Sequence, residues 1–289
     1  MIMKVIFYLI SLAPKPFIIS LIDLYIYSKL CKFSKSYKIT KINLEIAYKD
    51  LNKDDLETLT KLSIRESLIA VYETFYTWGA PSEYSNSKIF KIKNNYLFKN
   101  KLNKDCGLIA VSIHNRSVDM LLKWINSQVP TTSLYKKVKI GLLDNFIKND
   151  RQHNGAKCFE TSLKGVKNVF KALKEKKVVC FAADQVPQRG MGEYIKFYGR
   201  DAYSTTLVQS LVRKTKAEVL YVYLNSSSSG FISLTIKPQI IGNYNDSKYK
   251  LLLNSDIEKL INERPIDYSW EYKRFKKNKN DFLNPYKDI

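Results

Sequence analysis

His114 and Asp119 are the residues of this sequence whose types and spacing best fit acid–base chemistry. His114 directly follows a short apolar run at residues 108–113, and Asp119 comes five residues later. The run is typical of a buried strand, and Ser117 is a candidate N-cap for a following helix. A carboxylate in the first turn of that helix can face the histidine and stabilise its imidazolium form. The pair therefore predicts a general base, although a core histidine satisfied by a nearby acid has the same pattern.

A nucleophilic side chain does not accompany this pair. The sequence contains no Gly-x-Ser-x-Gly motif, which is typical of enzymes that form a covalent intermediate on serine. The pattern therefore favours a direct transfer, in which the base activates a hydroxyl of the substrate. His153, the other histidine, has Cys158 at the same offset and no strand before it, so it is interpreted as a surface residue.

Further polar residues follow a second predicted strand at residues 177–183. Asp184 and Gln185 come directly after it, and Arg189 and Gly190 follow shortly. Ligands bind at the carboxyl ends of strands in open α/β sheets, so both motifs are expected to share one edge, unless the second is a solvated turn. Arg151 is a candidate for bidentate phosphate binding, with plain surface solvation as the alternative.

Alternating strands and helices around these residues predict an α/β fold, a single-domain sheet flanked by helices on both faces. The sequence shows no internal repeat and no linker, so the expected organisation is an anchor at 1–30 and one domain at 31–289. Helices are predicted at 54–79, 117–128, 142–151, 163–175, 204–216 and 247–263. Strands are predicted at 108–113, 177–183, 219–224 and 231–237, the last two joined by a hairpin loop at 226–230.

The composition excludes several classes of protein. Apolar residues make up 45% of the 289 residues, which excludes a disordered chain. Four dispersed cysteines and two histidines argue against a disulfide scaffold and against a histidine-rich or zinc site. Lysine and arginine total 48 against 27 acids, a net charge of +21. Part of this charge is the pattern expected from a biased nucleotide composition of the genome. Any functional part suits a partner that is an anionic lipid or an acidic protein better than nucleic acid, because no nucleic-acid-binding motif is present.

The N-terminus indicates association with a membrane. Residues 5–27 are strongly apolar but are interrupted by Pro14, Lys15, Pro16 and Asp23. Each half is shorter than the roughly 20 residues that a spanning helix needs, so a bent anchor, spanning or interfacial, is expected. A cleaved signal peptide and a buried helix pair are the alternatives. Five lysines follow and predict a cytoplasmic location for the rest of the chain: Lys29, Lys32, Lys35, Lys38 and Lys41.

Taken in order, several motifs resemble the late lipid A biosynthesis acyltransferases, the lauroyl/myristoyl acyltransferase family within the lysophospholipid acyltransferase group. That group's hallmark, His-x-x-x-x-Asp/Glu, matches His114 and Asp119. The other matching motifs are Asn43-Leu44, Arg151 with Gly155, Asp184-Gln185, Phe197-Tyr198-Gly199 with Thr205-Thr206, and Pro265 with Trp270 and Arg274-Phe275-Lys276. The resemblance covers most of the chain.

The resemblance implies transfer of a fatty acyl chain from acyl carrier protein to a hydroxyl of a lipid A precursor, at the cytoplasmic face of the inner membrane. It implies that His114 is the base and that Asp119 orients it, with no cofactor and no catalytic metal. Arg116 or backbone amides would stabilise the oxyanion, and Arg151 would hold a phosphate. Asp184 and Gln185 are expected in the substrate site without an assigned role. Acyl carrier protein and the acceptor are both anionic, which gives the basic charge a use.

Three other hypotheses for the function of this protein remain open. The same His/Asp pair would serve an acyl-CoA-dependent enzyme that acts on another glycolipid or a lysophospholipid. A non-catalytic, basic, peripheral membrane protein on the same scaffold would tolerate His114→Ala. A nucleic-acid binder would show a steep salt dependence of that binding.

Overall fold

A computed structural model describes residues 2–239, 249–277 and 284–289. The helices are α1 (Ile2–Ser11), α2 (Lys15–Tyr27), α3 (Lys35–Ala47), α4 (Lys53–Gly79), α5 (Ser82–Ser87), α6 (Asn95–Leu102), α7 (Val118–Gln128), α8 (Gly141–Arg151), α9 (Leu163–Lys174), α10 (Leu207–Thr215) and α11 (Tyr249–Asn262). The strands are β1 (Ile89–Lys93), β2 (Leu108–Ser112), β3 (Thr131–Tyr135), β4 (Lys157–Glu160), β5 (Val178–Ala182), β6 (Gly192–Phe197), β7 (Arg200–Thr205), β8 (Glu218–Ser226) and β9 (Ile232–Pro238). Short 3₁₀ turns lie at Leu30–Phe33, His153–Gly155 and Pro265–Asp267.

Seven strands form one sheet in the order β1-β9-β8-β2-β5-β3-β4. Strand β2 pairs in parallel with both β5 and β8, whereas β8 and β9 form the predicted antiparallel hairpin. Strands β6 and β7 form a separate antiparallel ribbon. Since β2 and β5 run side by side in the same direction, their carboxyl ends meet at the centre of one sheet edge.

Helices cover both faces of the sheet, which confirms the predicted α/β fold. Side chains of β2 alternate between two cores, with Ile109 and Val111 in one and Leu108 and Ala110 in the other. This alternation explains why β2 is apolar from Leu108 to Val111, because a strand buried on both faces has no solvent side. Helices α9, α10 and α11 pack in the first core, and α6 and α7 pack in the second.

The largest differences from the predicted elements lie in the polar parts of the sequence. Strand β1 was not predicted, because four of its five residues are exposed and lysines alternate along it. Strands β3, β4, β6 and β7 and helices α3, α5 and α6 were also not predicted. Helix α10 begins at Leu207 rather than at 204, since residues 204–205 belong to β7. The predicted start of the last helix at 247 lies outside the described residues.

No single helix in the described residues is long and apolar enough to cross a membrane. Helices α1 and α2 meet the length and composition of a span only as a pair, and they are bent by 89° at the break between them. The alternative of a buried helix pair is wrong, because α2 has no buried residue and Leu9, Leu12 and Leu24 are at least 60% exposed.

Helix α1 packs against α4 in a small apolar cluster centred on Phe7. Phe7 is buried among the rings of Phe75, Trp78 and Phe146, with centroids 5.0 to 5.3 Å away. The last residue of α4 is Gly79, and a Cβ atom there would lie 2.3 Å from the carbonyl oxygen of Phe7. Glycine at this position therefore permits the close approach of the two helices.

Candidate functional site

The carboxyl ends of β2 and β5 open into a cavity of about 710 Å³, referred to below as the central cavity. His114 follows β2 and Asp184 follows β5, and the Ala183 amide donates a 3.1 Å hydrogen bond to the Ser112 carbonyl, which continues the pairing of the strands. Helices α4 and α7 supply an apolar wall that includes Phe75, Trp78 and Leu121. The predicted shared edge of the two polar motifs is therefore present.

Asp184 is the hydrogen-bond partner of the His114 ring. Its Oδ1 lies 2.8 Å from His114 Nδ1, and its Oδ2 accepts a 3.1 Å hydrogen bond from the His114 backbone N–H. A carboxylate at Nδ1 keeps the proton on that nitrogen, so Nε2 carries the lone pair. The His114 side chain is 28% exposed, whereas that of Asp184 is 1% exposed. The arrangement is that of a base whose tautomer and orientation are set by a buried acid.

His114 and Asp184 shift each other's pKa. Burial by itself lowers the pKa of His114, but the Asp184 carboxylate outweighs burial and raises that pKa above its ordinary value. Burial raises the pKa of Asp184, but the charge of His114 and its hydrogen bonds bring it below its ordinary value. The Asp184 carboxylate also acts on the buried Tyr268, and burial raises the pKa of the Tyr268 phenol well above its ordinary value. Asp184 therefore stays ionised beside a histidine that accepts protons readily.

Asp119 does not have the partner that its spacing predicted. Its two carboxylate oxygens accept hydrogen bonds of 2.6 and 3.1 Å from Nε and Nη2 of Arg151. The prediction that Asp119 orients His114 is therefore wrong, and Asp184 has that place. Both Asp119 and Arg151 line the central cavity beside His114, and the charge of Arg151 is near enough to lower the pKa of His114.

Arg116 is held in a buried ion cluster. Its guanidinium donates to Glu66, to Glu73 and, at 3.4 Å, to Asp267, and its side chain is 1% exposed. Its φ of 56° lies in the left-handed region, which costs a non-glycine residue about 1–2 kcal/mol and is sustained by these contacts. The prediction that Arg116 binds substrate or an oxyanion is not supported by this placement. Arg116 instead fixes the loop that carries His114.

The backbone amides of the same loop are also engaged. The His114 N–H donates to Asp184, the Asn115 N–H to the Ile113 carbonyl at 2.8 Å, and the Arg116 N–H to the Asp267 carbonyl at 3.2 Å. The backbone amides predicted as oxyanion donors are therefore not these three. Among the positive groups of the cavity, Arg151 remains close to His114, with an 18% exposed side chain.

Gln185 lines the central cavity as predicted, together with a carboxyl group that the sequence analysis missed. Glu271 also lines the cavity, accepts a 2.8 Å hydrogen bond from Ser67 Oγ and interacts electrostatically with His114. Burial raises the pKa of Glu271 above its ordinary value. The position of Glu271 inside the Trp270–Lys276 motif was the available signal, but nothing in that motif indicates which member faces the cavity.

The model of the family described as bacterial lipid A biosynthesis acyltransferase matches residues 2–277. The chain belongs to this family. It is 22% identical over 87% of its length to a lipid A biosynthesis acyltransferase of Haemophilus influenzae, covering 81% of that protein. It is 25% identical over 82% of its length to a lipid A biosynthesis palmitoleoyltransferase of Escherichia coli, and 19% identical over 83% to a lauroyltransferase of that species, covering 78% of each.

As a member of the lipid A acyltransferase family, this chain is an acyltransferase. The structure also shows where its C-terminal motif lies. Residues 265–276, the C-terminal segment, run beside the His114 loop. The Ser269 N–H donates a 3.0 Å hydrogen bond to the His114 carbonyl, and Asn115 and Tyr268 form an antiparallel bridge. The C-terminal segment therefore holds the His114 loop through contacts separate from those of Asp184.

The C-terminal segment is held in turn by two more residues of the motifs that resemble the family, Asn43 and Arg274. The buried Asn43 Nδ2 donates to the carbonyls of Trp270 and Tyr272 at 2.6 and 2.9 Å. Arg274 donates to the Tyr203 carbonyl at 2.9 Å and to Ser204 Oγ at 2.6 Å. These residues therefore act on the site through the position of the loop, not by contact with a substrate.

Proposed function

We propose that the chain transfers a lauroyl or myristoyl group from acyl carrier protein to a hydroxyl of a lipid A precursor. The observation that carries the proposal is the hydrogen bond between His114 and the buried Asp184 beside a largely apolar cavity. A base with a fixed tautomer suits the activation of a hydroxyl, and an apolar wall suits an acyl chain. Family membership supports the acceptor class.

The transfer proceeds by direct attack. His114 Nε2 removes the proton of the acceptor hydroxyl, and the oxygen attacks the carbonyl carbon of the thioester. The new carbon–oxygen bond gives a tetrahedral intermediate, which collapses with cleavage of the carbon–sulfur bond. The imidazolium then returns its proton to the departing thiolate, so the products are an ester and a free thiol. Asp184 stabilises the imidazolium between the two proton transfers.

Arg151 supplies the positive charge for the oxyanion in this mechanism. Asp119 holds two of its guanidinium nitrogens, which orients the group and leaves Nη1 for a substrate oxygen. Burial by itself lowers the pKa of Arg151, but Asp119 raises it above its ordinary value, so the group stays charged. A preorganised cation in a partly buried site stabilises a developing oxyanion strongly. The hallmark acid thus serves the reaction through Arg151.

We also propose that the N-terminal helices hold the enzyme at the cytoplasmic face of the inner membrane. The charges that interrupt the apolar run are paired with α4, Lys15 with Glu73 at 3.4 Å and Asp23 with Arg65 at 2.5 Å. Several large apolar side chains of α1 and α2 are exposed instead, among them Leu9, Phe17 and Leu24. A surface of this kind suits insertion into the interfacial region of a bilayer.

The test is acyl transfer by the purified protein in detergent. Lauroyl- and myristoyl-acyl carrier protein, and separately the acyl-CoA forms, are offered with a tetra-acylated lipid A precursor. His114→Ala should lower kcat by about 10²–10⁴-fold, because the general base is lost. Arg151→Met should lower kcat by about 10²–10³-fold through loss of the oxyanion contact.

His153→Ala is the matched control, since His153 is the other histidine and its side chain is 55% exposed. It should retain parental turnover. Transfer from acyl-CoA but not from the carrier protein would replace the proposed donor. Turnover that survives in His114→Ala would overturn the assigned base.

A further inference from the structure

The cations that line the central cavity fall into two groups. Arg116 and Arg151 are ion-paired with carboxylates, as described above. Lys136, Lys276 and Lys277 line the same cavity and have no carboxylate within ion-pair distance among the described residues. Lys137, the neighbour of Lys136, does have one, since its Nζ lies 3.8 Å from Glu160. The absence of acidic partners therefore sets the three cavity lysines apart from their neighbour.

Each of the three lysines interacts with one of two tyrosines, Tyr272 and Tyr203. Lys276 Nζ lies 4.7 Å from the ring centroid of Tyr272, and the charge of Lys136 acts on the same phenol. Lys277 Nζ lies 4.5 Å from the ring centroid of Tyr203 and donates a 3.0 Å hydrogen bond to the Pro187 carbonyl. Burial lowers the pKa of Lys276. Positive charges that line one cavity without acidic partners attract an anion, so a bound anion would stabilise this arrangement.

We propose that Lys136, Lys276 and Lys277 form an anion subsite that binds a phosphate group of a substrate in the central cavity. Lysine ammonium groups are effective point-charge ligands for phosphate. The cavity continues from these lysines to the apolar wall of Phe75, Trp78 and Leu121, so the ligand class is a phosphate joined to an apolar chain. This inference rests on the proposed function, and it moves phosphate binding to the lysines from Arg151, whose Nε and Nη2 are hydrogen-bonded to Asp119 and whose remaining donor is assigned to the oxyanion.

Two substrates of the proposed reaction carry such a phosphate. One is the acceptor, through the phosphates on its sugars, and the other is the donor, through the phosphopantetheine arm. Kinetic arms separate them: acceptor with and without its phosphates, and acyl-phosphopantetheine against the acyl thioester of N-acetylcysteamine, which has no phosphate. The variant is K136Q/K276Q/K277Q, and the matched control is K137Q.

The triple variant should raise KM about tenfold or more for the phosphate-bearing form of one substrate and leave KM for its phosphate-free form at the parental value. A rise with the acceptor pair assigns the subsite to the acceptor, and a rise with the donor pair assigns it to the donor. An equal rise with and without phosphate, or no rise at all, would overturn the proposal. K137Q should match the parent in every arm.

A binding measurement separates this inference from the proposed function. Pyrophosphate is titrated into the full-length protein by calorimetry, without turnover. We expect binding to the parent and to K137Q, and at least tenfold weaker binding to the triple variant. Equal binding by all three proteins, or no binding to the parent at millimolar concentration, would overturn the subsite. Loss of acyl transfer with intact pyrophosphate binding would instead count against the proposed function alone.

Discussion

At the scale of single residues, the acid that orients His114 is Asp184, which the His-x-x-x-x-Asp motif does not include. Asp119 lies five residues from His114, whereas Asp184 lies seventy residues away and reaches it through the pairing of β5 with β2. Asp119 holds Arg151 instead. The His114…Asp119 spacing therefore predicted two residues of the cavity correctly but gave His114 the wrong partner. Adjacent strands bring residues together regardless of their separation along the chain.

The pH dependence of turnover tests this assignment. His114 is active as a base only when neutral, so kcat/KM should fall as the pH drops through its raised pKa. Asp184→Asn removes the charge that raises that pKa, and burial then lowers it. The acid limb should therefore shift to lower pH, and kcat should fall about 10²-fold or more because the tautomer is no longer fixed.

Asp119→Asn is the comparison in the same pH–rate measurement. It should lower kcat through Arg151 but leave the acid limb near its parental position, because Asp119 is not the partner of the His114 ring. A shift of the limb in Asp119→Asn and none in Asp184→Asn would restore the pairing expected from the sequence and contradict the structure.

At the scale of elements, the C-terminal segment and α3 support the site from a distance. Asn43 of α3 donates to two carbonyls of that segment, and the segment in turn donates to the His114 carbonyl. Arg116 ties the same loop to α4 through Glu66 and Glu73. The His114 loop is therefore held by four parts of the chain: β2, β5, α4 and the C-terminal segment.

Asn43→Ala should be costly because it leaves the Trp270 carbonyl without a donor and the Tyr286 hydroxyl without an acceptor. At about 1–3 kcal/mol for each unsatisfied group, the free energy of unfolding should fall by about 2–4 kcal/mol. Urea denaturation followed by circular dichroism measures this loss. We also expect kcat to decrease, since the segment that positions His114 loosens.

Asn149→Ala serves as the control, because Asn149 is an exposed residue of α8. It should change the free energy of unfolding by no more than about 0.5 kcal/mol. If Asn43→Ala unfolded at the same urea concentration as Asn149→Ala, the support assigned to Asn43 would be incorrect.

At the scale of the whole molecule, exposed apolar residues are concentrated at the N-terminal helices. Leu9, Leu12, Phe17 and Leu24 are each at least 58% exposed. Apolar patches of this kind on an enzyme with a net charge of +21 suit an anionic bilayer, in which the side chains insert and the lysines contact headgroups.

The triple substitution Leu9→Ser, Leu12→Ser and Leu24→Ser should weaken binding to phosphatidylglycerol-containing vesicles at least about tenfold, since each removes an apolar side chain from the bilayer contact. Flotation of the full-length protein with the vesicles measures the bound fraction. Leu163→Ser is the control, because Leu163 is 76% exposed but lies on α9. Equal flotation of the triple variant and this control would contradict the membrane surface.

The sequence by itself determined the elements with a strong apolar signal and the residues that end them. Helix α4, strands β2, β5 and β8, and the Ser117 cap of α7 were predicted close to their bounds, because burial on one or two faces imposes a local period on the sequence. It did not determine β1, β6 and β7, whose exposed positions carry no such period.

The tertiary structure alone decided which charged groups are partners. His114 pairs with Asp184, Asp119 with Arg151, and Arg116 with Glu66 and Glu73. In each of these pairings the two sides come from different parts of the fold. The tertiary structure also decided that Arg116 is internal and that Lys136, Lys276 and Lys277 line the cavity. The physical reason is that electrostatic and hydrogen-bond contacts depend on distance in space, and strand order and helix packing set that distance independently of position along the chain.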